Sequence, residues 1–372
     1  MNVSWPFYVR LALILLIIWL VMYGIYLGRS ILLPFGFAFL TAILLQPVEN
    51  FFLRLKMPHV PAILITLLIA FAVLFAIITF ISSQISSFVN DVPAIEKNFT
   101  LFFHDMQDWV NKTFHFSREQ QEQIIEKAKE NNSNTTTMIA RGTLNVLATS
   151  VISLTLVPIY TFLFLYYRKH LVLFVIYVFG EEQKERVSKV LNDVRGVLHH
   201  YVTGLLIETS CVAVLNCVGL FLIGAPYAIL LGLIGAILNL IPYIGGLISV
   251  ALTGITILSN TGDTFMMLAS VVVYLVVQFI DNNFFVPRII GSSVQLNALF
   301  SIVAVLIGGA LCGVGGMFLS LPFMAIFKVV CDHVDALKPW GMLLGDAELA
   351  RWDVLRIRRR KNKRKKETLS DI

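Results

Sequence analysis

The chain has 372 residues, of which 57% are hydrophobic and only 14% are charged, a composition that excludes an ordinary soluble protein and indicates a membrane protein. The formal net charge of +6 is unevenly distributed. Residues 351–372 carry ten basic and three acidic side chains, whereas the other 350 residues carry 19 basic and 20 acidic ones. The main body is therefore almost neutral, and the basic character is confined to a short tail.

Helices that can cross a bilayer need about 20 apolar residues, and the sequence predicts several of them. Five clear apolar stretches occupy residues 7–27, 60–81, 140–167, 202–223 and 264–280. A shorter stretch at 31–48 follows the first after only Gly28, Arg29 and Ser30. This short connection predicts a tight helical hairpin.

Two further apolar regions are interrupted by glycine and proline. Residues 228–259 are interrupted between Ile241 and Gly246, and residues 298–330 around Gly308-Gly309 and again from Gly313 to Gly316. Each half is short for a span, so it either crosses a locally thinned bilayer or turns back as part of a re-entrant hairpin. The chain then crosses six, eight or ten times, and in each case both termini lie on the same side.

Basic residues near the span ends indicate which side is cytoplasmic, because cytoplasmic loops are enriched in Lys and Arg. The clusters on one side contain Arg54, Lys56, Arg168, Lys169, Arg288 and the tail of residues 351–372. Both termini are therefore predicted to be cytoplasmic. The tail is expected to bind anionic lipid headgroups, with nucleic-acid binding a much weaker alternative.

We predict an all-α polytopic integral membrane protein with about eight transmembrane helices, one or two broken or re-entrant helical hairpins and a small helical extracytoplasmic region. Residues 1–81 form the N-terminal transmembrane helices, and residues 82–138 form the extracytoplasmic region, which either lies on the bilayer and its neighbours or acts as a lid. Residues 139–350 form the main permease domain, in which 181–201 is a cytoplasmic amphipathic helix. The basic tail of 351–372 completes the chain.

Strongly polar residues at bilayer depth are energetically costly, so each is a candidate functional residue. Glu208 is either a proton or cation site inside the bundle or an interfacial carboxylate that is hydrated or paired with Arg195. The group at 281–283 either provides oxygen ligands and donors at a cytoplasmic mouth or caps a helix that Pro287 stops. The candidates for a transport path are Glu208, Asn216, Asn239, Gln278, Asp281, Asn282, Asn283, Pro287 and Arg288.

The two interruptions are candidates of another kind, because broken helices free backbone groups for binding ions and polar solutes. Pro242, Gly245 and Gly246 form either such a polar break or a simple turn between two short spans. The second interruption is more typical of close helix packing, since Gly309 and Gly313 are separated by three residues. Its residues are Gly308, Gly309, Gly313, Gly315, Gly316 and Pro322.

Catalysis is not expected of this chain. It contains neither HExxH nor GxSxG, no phosphate-binding Walker loop, and no histidine at the centre of a predicted span. The cysteines lack the spacing of a zinc site or a disulfide framework. We expect no metal centre and no cofactor.

Two long ordered motifs resemble those of the autoinducer-2 exporter family, also called the predicted permease family. One runs from Ala225-Pro226-Tyr227 through Asn239 to Gly246, and the other from Gln278 through Asp281-Asn282-Asn283 and Pro287-Arg288 to Gly291. The resemblance covers nearly the whole chain except the tail. It implies a polytopic permease of the bacterial inner membrane that assembles as a homo-oligomer and exports a small polar solute or exchanges a cation for protons.

Three functional hypotheses follow from these observations. The first is a secondary transporter or exporter with a small-molecule or ion substrate, in which Glu208 is the coupling carboxylate and Gln278, Asp281 and Asn282 form a cytoplasmic gate. The second is a passive oligomeric channel. The third is a non-transporting membrane scaffold that holds partners through residues 82–138 or the tail.

Overall fold

Every regular element that the structure describes is a helix, which confirms the predicted all-α fold. The computed structural model describes residues 6–84, 155–240, 244–290 and 296–345. Nine helices lie in these ranges: α1 Phe7–Arg54, α2 His59–Gln84, α3 Thr155–Phe179, α4 Lys184–Leu222, α5 Ala228–Asn239, α6 Ile244–Thr261, α7 Thr264–Ile280, α8 Ala298–His333 and α9 Lys338–Leu344. Most of the predicted extracytoplasmic region and the basic tail lie outside the described residues.

Six of these helices are long and apolar enough to cross a membrane, and the chain is a multi-pass membrane protein. They are α1, α2, α3, α4, α7 with the turns that follow it, and α8. The two remaining apolar helices, α5 and α6, contain 12 and 18 residues. The first predicted interruption thus separates two short helices.

The hairpin predicted between the first two spans is wrong. Helix α1 runs without a break for 48 residues, a length of about 72 Å at 1.5 Å per residue. Gly28 is not among the glycines with positive φ, so nothing in the backbone turns the chain there. The helix also accommodates Pro34 and Pro47 and ends at Arg54, just before Lys56 adopts a left-handed φ of 60°.

The boundaries of α3 and α4 extend beyond the predicted spans. Helix α3 continues to Phe179, so Arg168 and Lys169 lie within it and not after its end. After a short 3-10 turn at Glu181–Gln183, helix α4 joins the predicted amphipathic segment to the following span in one 39-residue helix. The charged first half of α4 is therefore a rigid extension of its apolar second half.

The predicted break in α8 is confirmed at Gly313, whose φ of 65° and ψ of −152° are accessible to glycine and strained for other residues. The chain folds back at this point, because Gly308 and Gly316 pack backbone to backbone. A Cβ atom on either one would overlap the carbonyl oxygen of the other. Eight residues of straight helix would separate them by about 12 Å, so α8 is a helical hairpin.

The chain divides into two compact units, each made of discontinuous segments. Unit 1 contains residues 1–51, 160–205 and 287–372, and unit 2 contains residues 52–159 and 206–286. The core of unit 1 centres on Leu40, Leu198, Tyr201, Val202 and Leu319. The core of unit 2 centres on Leu220, Ala225, Ala228, Leu231, Ile257 and Tyr274.

Burial in unit 2 is partly inverted relative to a soluble protein. Large apolar side chains such as Phe221, Leu247 and Phe265 are more than 70% exposed, as suits a surface that faces lipid. Conversely, polar side chains are buried between its helices. These are Glu208, Asn216, Ser249, Thr253, Thr256, Ser259, Ser270 and Asp281.

Candidate functional site

The segment after α7 continues as a wide helix that aims Asp281 inward. Residues Asp281–Ile290 form a π-helix, and Pro287 lies inside it. The prediction that Pro287 stops the helix is therefore wrong. A π-helix pairs each donor with a carbonyl five residues back, and such wide turns are rare and are frequently found at functional sites. Asp281 is only 2% exposed, whereas Asn282 and Asn283 are exposed.

The centre of the site is a pair of buried carboxyl groups bridged by one amide. The Asn239 Nδ2 at the end of α5 donates to Asp281 Oδ2 at 3.0 Å and lies 3.4 Å from Glu208 Oε1. Glu208, in α4, is 6% exposed and interacts directly with the carboxyl group of Asp281. The structure thus joins three of the predicted residues, one each from α4, α5 and the π-helix that follows α7, and it buries the Glu208 side chain within unit 2.

No basic side chain of the surrounding segment neutralises this acidic pair. Residues 206–286 contain no Lys, Arg or His, and their only acidic residues are Glu208, Asp263 and Asp281. Two carboxylates in direct contact repel each other strongly when shielded from water. A proton or a cation shared between the two groups would relieve this repulsion.

A small cavity lies beside this pair. Its volume is about 10 Å³, and it is lined by Val212, Asn216, Gly235, Asn239, Gly246, Ser249, Tyr274, Val277, Gln278 and Asp281. Two buried oxygens at this cavity, Asn216 Oδ1 and Asp281 Oδ1, have no hydrogen-bond partner. A cavity of this size admits about one water molecule or one small ion, and unpartnered oxygens are suited to binding either.

The helices α6 and α7 each turn a polar face towards the interior of unit 2. On α6 the face contains Ser249, Thr253 and Thr256, spaced by four and three residues, and all three are about 1% exposed. Ser249 Oγ donates to the Gly245 carbonyl at 2.7 Å, which leaves its lone pairs available to the cavity. On α7 the Tyr274 hydroxyl lies 3.0 Å from Thr253 Oγ1 and 3.2 Å from the Leu231 carbonyl oxygen.

Sequence reasoning missed Ser249, Thr253 and Tyr274. The signal that could have found them is periodic: hydroxyl residues recur on one face of α6, and Tyr274 lies four residues before Gln278 on α7. Their hydroxyl groups extend the polar interior beyond the acidic pair. Because Gly235 has no side chain, the Tyr274 hydroxyl packs closely against the backbone there; a Cβ on Gly235 would lie only 3.0 Å from it.

The other candidates of the first interruption are arranged as follows. Gly246 lines the cavity, and a Cβ placed on it would be 3.2 Å from Gln278 Oε1. Gln278 Nε2 in turn donates to Asn282 Oδ1 at 3.3 Å. Gly245 is buried against the backbone of Leu238, where a side chain would overlap it. Pro242 lies outside the described residues.

The candidates of the second interruption belong to unit 1 and form packing contacts. Gly308 and Gly316 close the α8 hairpin, and Gly309 packs against Met317. A Cβ on Gly315 would lie 3.3 Å from Leu33, and Pro322 is buried. Pro287 and Arg288 are exposed. The glycine positions agree with a structural role.

Within the described ranges, no three His, Cys, Asp or Glu side chains are grouped as a metal centre. The site has two carboxyl groups and several amides and hydroxyl groups instead. Oxygen ligands of this kind suit hard cations. The site also contains no nucleophile placed beside a general base.

The sequence profile described as the AI-2E family transporter matches residues 14–336. The chain belongs to the AI-2E transporter family. The match contains the whole site of unit 2 and all six spanning helices of the described ranges, apart from the first residues of α1. Membership agrees with the resemblance of the two motifs that end at Gly246 and Gly291.

Relatives of this AI-2E family member have names that propose a role in transport and state no substrate. YrrI of Bacillus subtilis is 31% identical over 157 residues, and the match covers 42% of this chain and 44% of YrrI. YhhT of Escherichia coli is 23% identical over 323 residues, 87% of this chain and 90% of YhhT. A protein of Haemophilus influenzae is 24% identical over 88% of this chain and 94% of its own length.

Proposed function

We propose that this protein is a secondary transporter that exchanges a small inorganic cation for protons, with Glu208 and Asp281 as the shared binding site. The observation that carries the proposal is the pair of buried carboxyl groups that meets on one amide without a basic neighbour in residues 206–286. Such a pair binds either a proton or a cation, and the competition of the two for one site is the simplest basis of exchange.

The surrounding groups support a cation over a larger solute. The cavity of about 10 Å³ has room for about one water-sized species, and the unpartnered oxygens of Asn216 and Asp281 supply ligands for it. Ser249 Oγ adds a third oxygen at the same cavity. A solute the size of a sugar does not fit this conformation, which makes solute export the weaker form of the hypothesis.

Binding and release require the site to open to each side of the membrane in turn. Discontinuous helices at the binding site are typical of transporters that work by such alternating access. Here the site lies at the break between α5 and α6, beside the π-helical segment Asp281–Ile290. We propose the π-helical segment, which contains Asp281 itself, as the moving part.

We further propose that the protein resides in the bacterial inner membrane with both termini cytoplasmic. The support is the placement of basic residues at Arg54, Lys56 and Arg288 and in the tail, since clustered Lys and Arg near span ends are the usual cytoplasmic signature. An anionic membrane surface would attract the tail of residues 351–372, and no catalytic activity is proposed. We also propose, from the family alone, that the active form is a homo-oligomer.

The function can be tested with the full chain reconstituted in proteoliposomes that contain a pH-sensitive dye. Gradients of Na⁺, Li⁺ and K⁺ are applied separately, and proton movement and cation movement are both recorded. We expect proton movement opposite to at least one cation. The variants Glu208→Gln and Asp281→Asn keep the size of each side chain and should bring this exchange to the level of empty vesicles.

Asp263→Asn is the matched control, because it removes the third acidic group of residues 206–286. Asp263 is exposed and caps α7 by accepting from Phe265 N at 2.8 Å, and Asn caps helices equally well. The control should keep full exchange. If cation flux without proton coupling persists in the variant that carries both Glu208→Gln and Asp281→Asn, the protein is a passive channel. If solute leaves the vesicles independently of protons, the protein is an exporter.

A further inference from the structure

Unit 1 contains a second feature, an open groove of about 750 Å³, which is unrelated to the acidic pair. It lies between the C-terminal part of α1, the second half of α3 and the charged first half of α4. Its walls are mostly apolar and include Phe39, Ile43, Phe164, Leu171, Val172 and Leu191. The volume falls within the range of about 300–1,000 Å³ that is usual for ligand sites.

The charged residues that line the groove are all basic: Arg168, Lys169 and Arg195. Arg168 is neutralised, since its Nη1 lies 3.1 Å from Glu49 Oε2 and 3.3 Å from Asn50 Oδ1. Lys169 and Arg195 form no ion pair or hydrogen bond with the residues that the structure describes. The groove therefore carries two uncompensated positive charges beside an apolar surface.

A smaller pocket of about 310 Å³ adjoins the groove and shares Ile43, Asn192 and Arg195 with it. Its other lining residues are Pro47, Gly196 and His199, so it adds the imidazole of His199 to the lining that contains Arg195. The two spaces together place an apolar channel next to a polar, positively charged chamber. This division matches a molecule with a long apolar part and an anionic head.

We propose that this groove is a binding site for an anionic phospholipid, with an acyl chain along the apolar wall and the phosphate group between Lys169 and Arg195. Charge complementarity selects this occupant, because no acidic residue lines either pocket. Basic pockets between membrane helices on the cytoplasmic side bind anionic headgroups in general. The site is separate from the proposed exchange site and does not depend on it.

The Glu49–Arg168 ion pair holds two of the helices that form the groove together. The Glu49 side chain is fully buried, and its ion pair with Arg168 joins α1 to α3 at the wall of the groove. The pairing also explains why Arg168 is a poor ligand for the lipid, since its guanidinium group already contacts two acceptors. Lys169 and Arg195 are both exposed and can reach a headgroup.

The test uses the purified full chain in a neutral detergent and native mass spectrometry. Phosphatidylglycerol and phosphatidylcholine with identical acyl chains are titrated separately, and the bound lipids are counted. We expect tighter binding of phosphatidylglycerol. The double variant Lys169→Gln, Arg195→Gln should weaken this binding by about fivefold for each charge removed, since one basic residue contributes about 1 kcal/mol near a charged surface.

The matched control is Lys184→Gln, Lys189→Gln, which removes two exposed charges from α4, the helix that carries Arg195, at positions that do not line the groove. It should retain the affinity of the unmodified chain for phosphatidylglycerol. The basic tail is present in every variant, so its contribution to lipid binding cancels in the comparison. Equal losses in the control and in the groove variant would overturn the proposal, as would equal affinity of the unmodified chain for the two lipids.

A third variant, Val172→Trp, fills the groove and leaves its charges in place. It should reduce the binding of both lipids, because the acyl chain loses its space. An unchanged count of bound lipids together with a smaller assembly mass would overturn the proposal. That result would assign the groove to contacts between copies of the chain.

Discussion

The bridging amide of Asn239 provides the most direct test of the geometry of the acidic pair. Asn239→Leu keeps the approximate size of the side chain and removes the donor that lies 3.0 Å from Asp281 Oδ2. Hydrogen bonds to charged groups contribute about 1.5–3 kcal/mol, but side-chain hydrogen bonds between membrane helices average about 0.6 kcal/mol and reach about 1.7 kcal/mol. We expect a loss of about 1–2 kcal/mol in the free energy of unfolding.

A double-mutant cycle separates this hydrogen bond from the other effects of the substitution. Asp281→Leu removes the acceptor, and the variant with both substitutions leaves neither half of this hydrogen bond unpaired, so its cost should be smaller than the sum of the single costs. We expect a coupling energy of about 1 kcal/mol. The measurement is equilibrium unfolding in mixed detergent micelles, followed by tryptophan fluorescence.

Asn260→Leu is the control for this cycle. Asn260 Nδ2 donates to the Thr256 carbonyl at 2.9 Å within α6, and Asn260 lies three turns beyond Ser249 at the cavity. Its coupling to Asp281→Leu should be below about 0.5 kcal/mol, the usual limit of additivity for independent sites. A coupling of Asn239 to Asp281 no larger than that of Asn260 would refute the bridged arrangement.

Three further predictions concern the cavity, the α8 hairpin and an ion-pair cluster. Ser249→Leu places a larger side chain in a cavity of about 10 Å³ and should abolish ion flux in proteoliposomes. Size-exclusion chromatography should still show folded protein, and normal flux would contradict the prediction. Gly313→Ala should destabilise the protein by about 1–3 kcal/mol in micelle unfolding, because φ is 65°, whereas Gly24→Ala, in open helical surroundings, should be neutral or stabilising. The pKa of Asp335 is lowered from 3.8 to about 2 by the hydrogen bond from Lys338 and then by that from Arg186. Since the folded pKa lies below the ordinary value, the stabilisation is complete above about pH 4 and is lost as pH falls towards 2, where an infrared carboxyl band absent from Asp335→Asn should appear.

Several parts of the fold follow directly from local sequence. Apolar stretches of spanning length define α2, α4 and α7, because no helix can leave its backbone groups unpaired in lipid. Gly313 is also predictable as a break, since it lies in a cluster of glycines that lack a side chain to oppose a left-handed turn. The hairpin expected at Gly28 is wrong because a single glycine permits a turn but does not require one, and the helix continues through it.

The candidate site was only partly predictable. Glu208, Asn239 and Asp281 could be selected one by one, because each is a rare polar residue in an apolar context. Their contact could not be derived, since it depends on how α4, α5 and the π-helix after α7 pack against one another. Ser249 and Tyr274 were missed because single hydroxyl residues are common in membrane helices. Only the packing of the helices shows whether such a hydroxyl group faces the interior of the protein.

The sequence by itself determined that this chain is an all-α membrane protein with few polar residues in its spans, because hydrophobicity and charge act residue by residue. It also carried the family motifs. Tertiary structure alone decided that α1 is unbroken, that the helix continues past Pro287, and that two carboxyl groups converge on Asn239. These features depend on packing between distant segments, where a pair of buried acids is stable only if the fold supplies the right donor and a place for a proton or a cation.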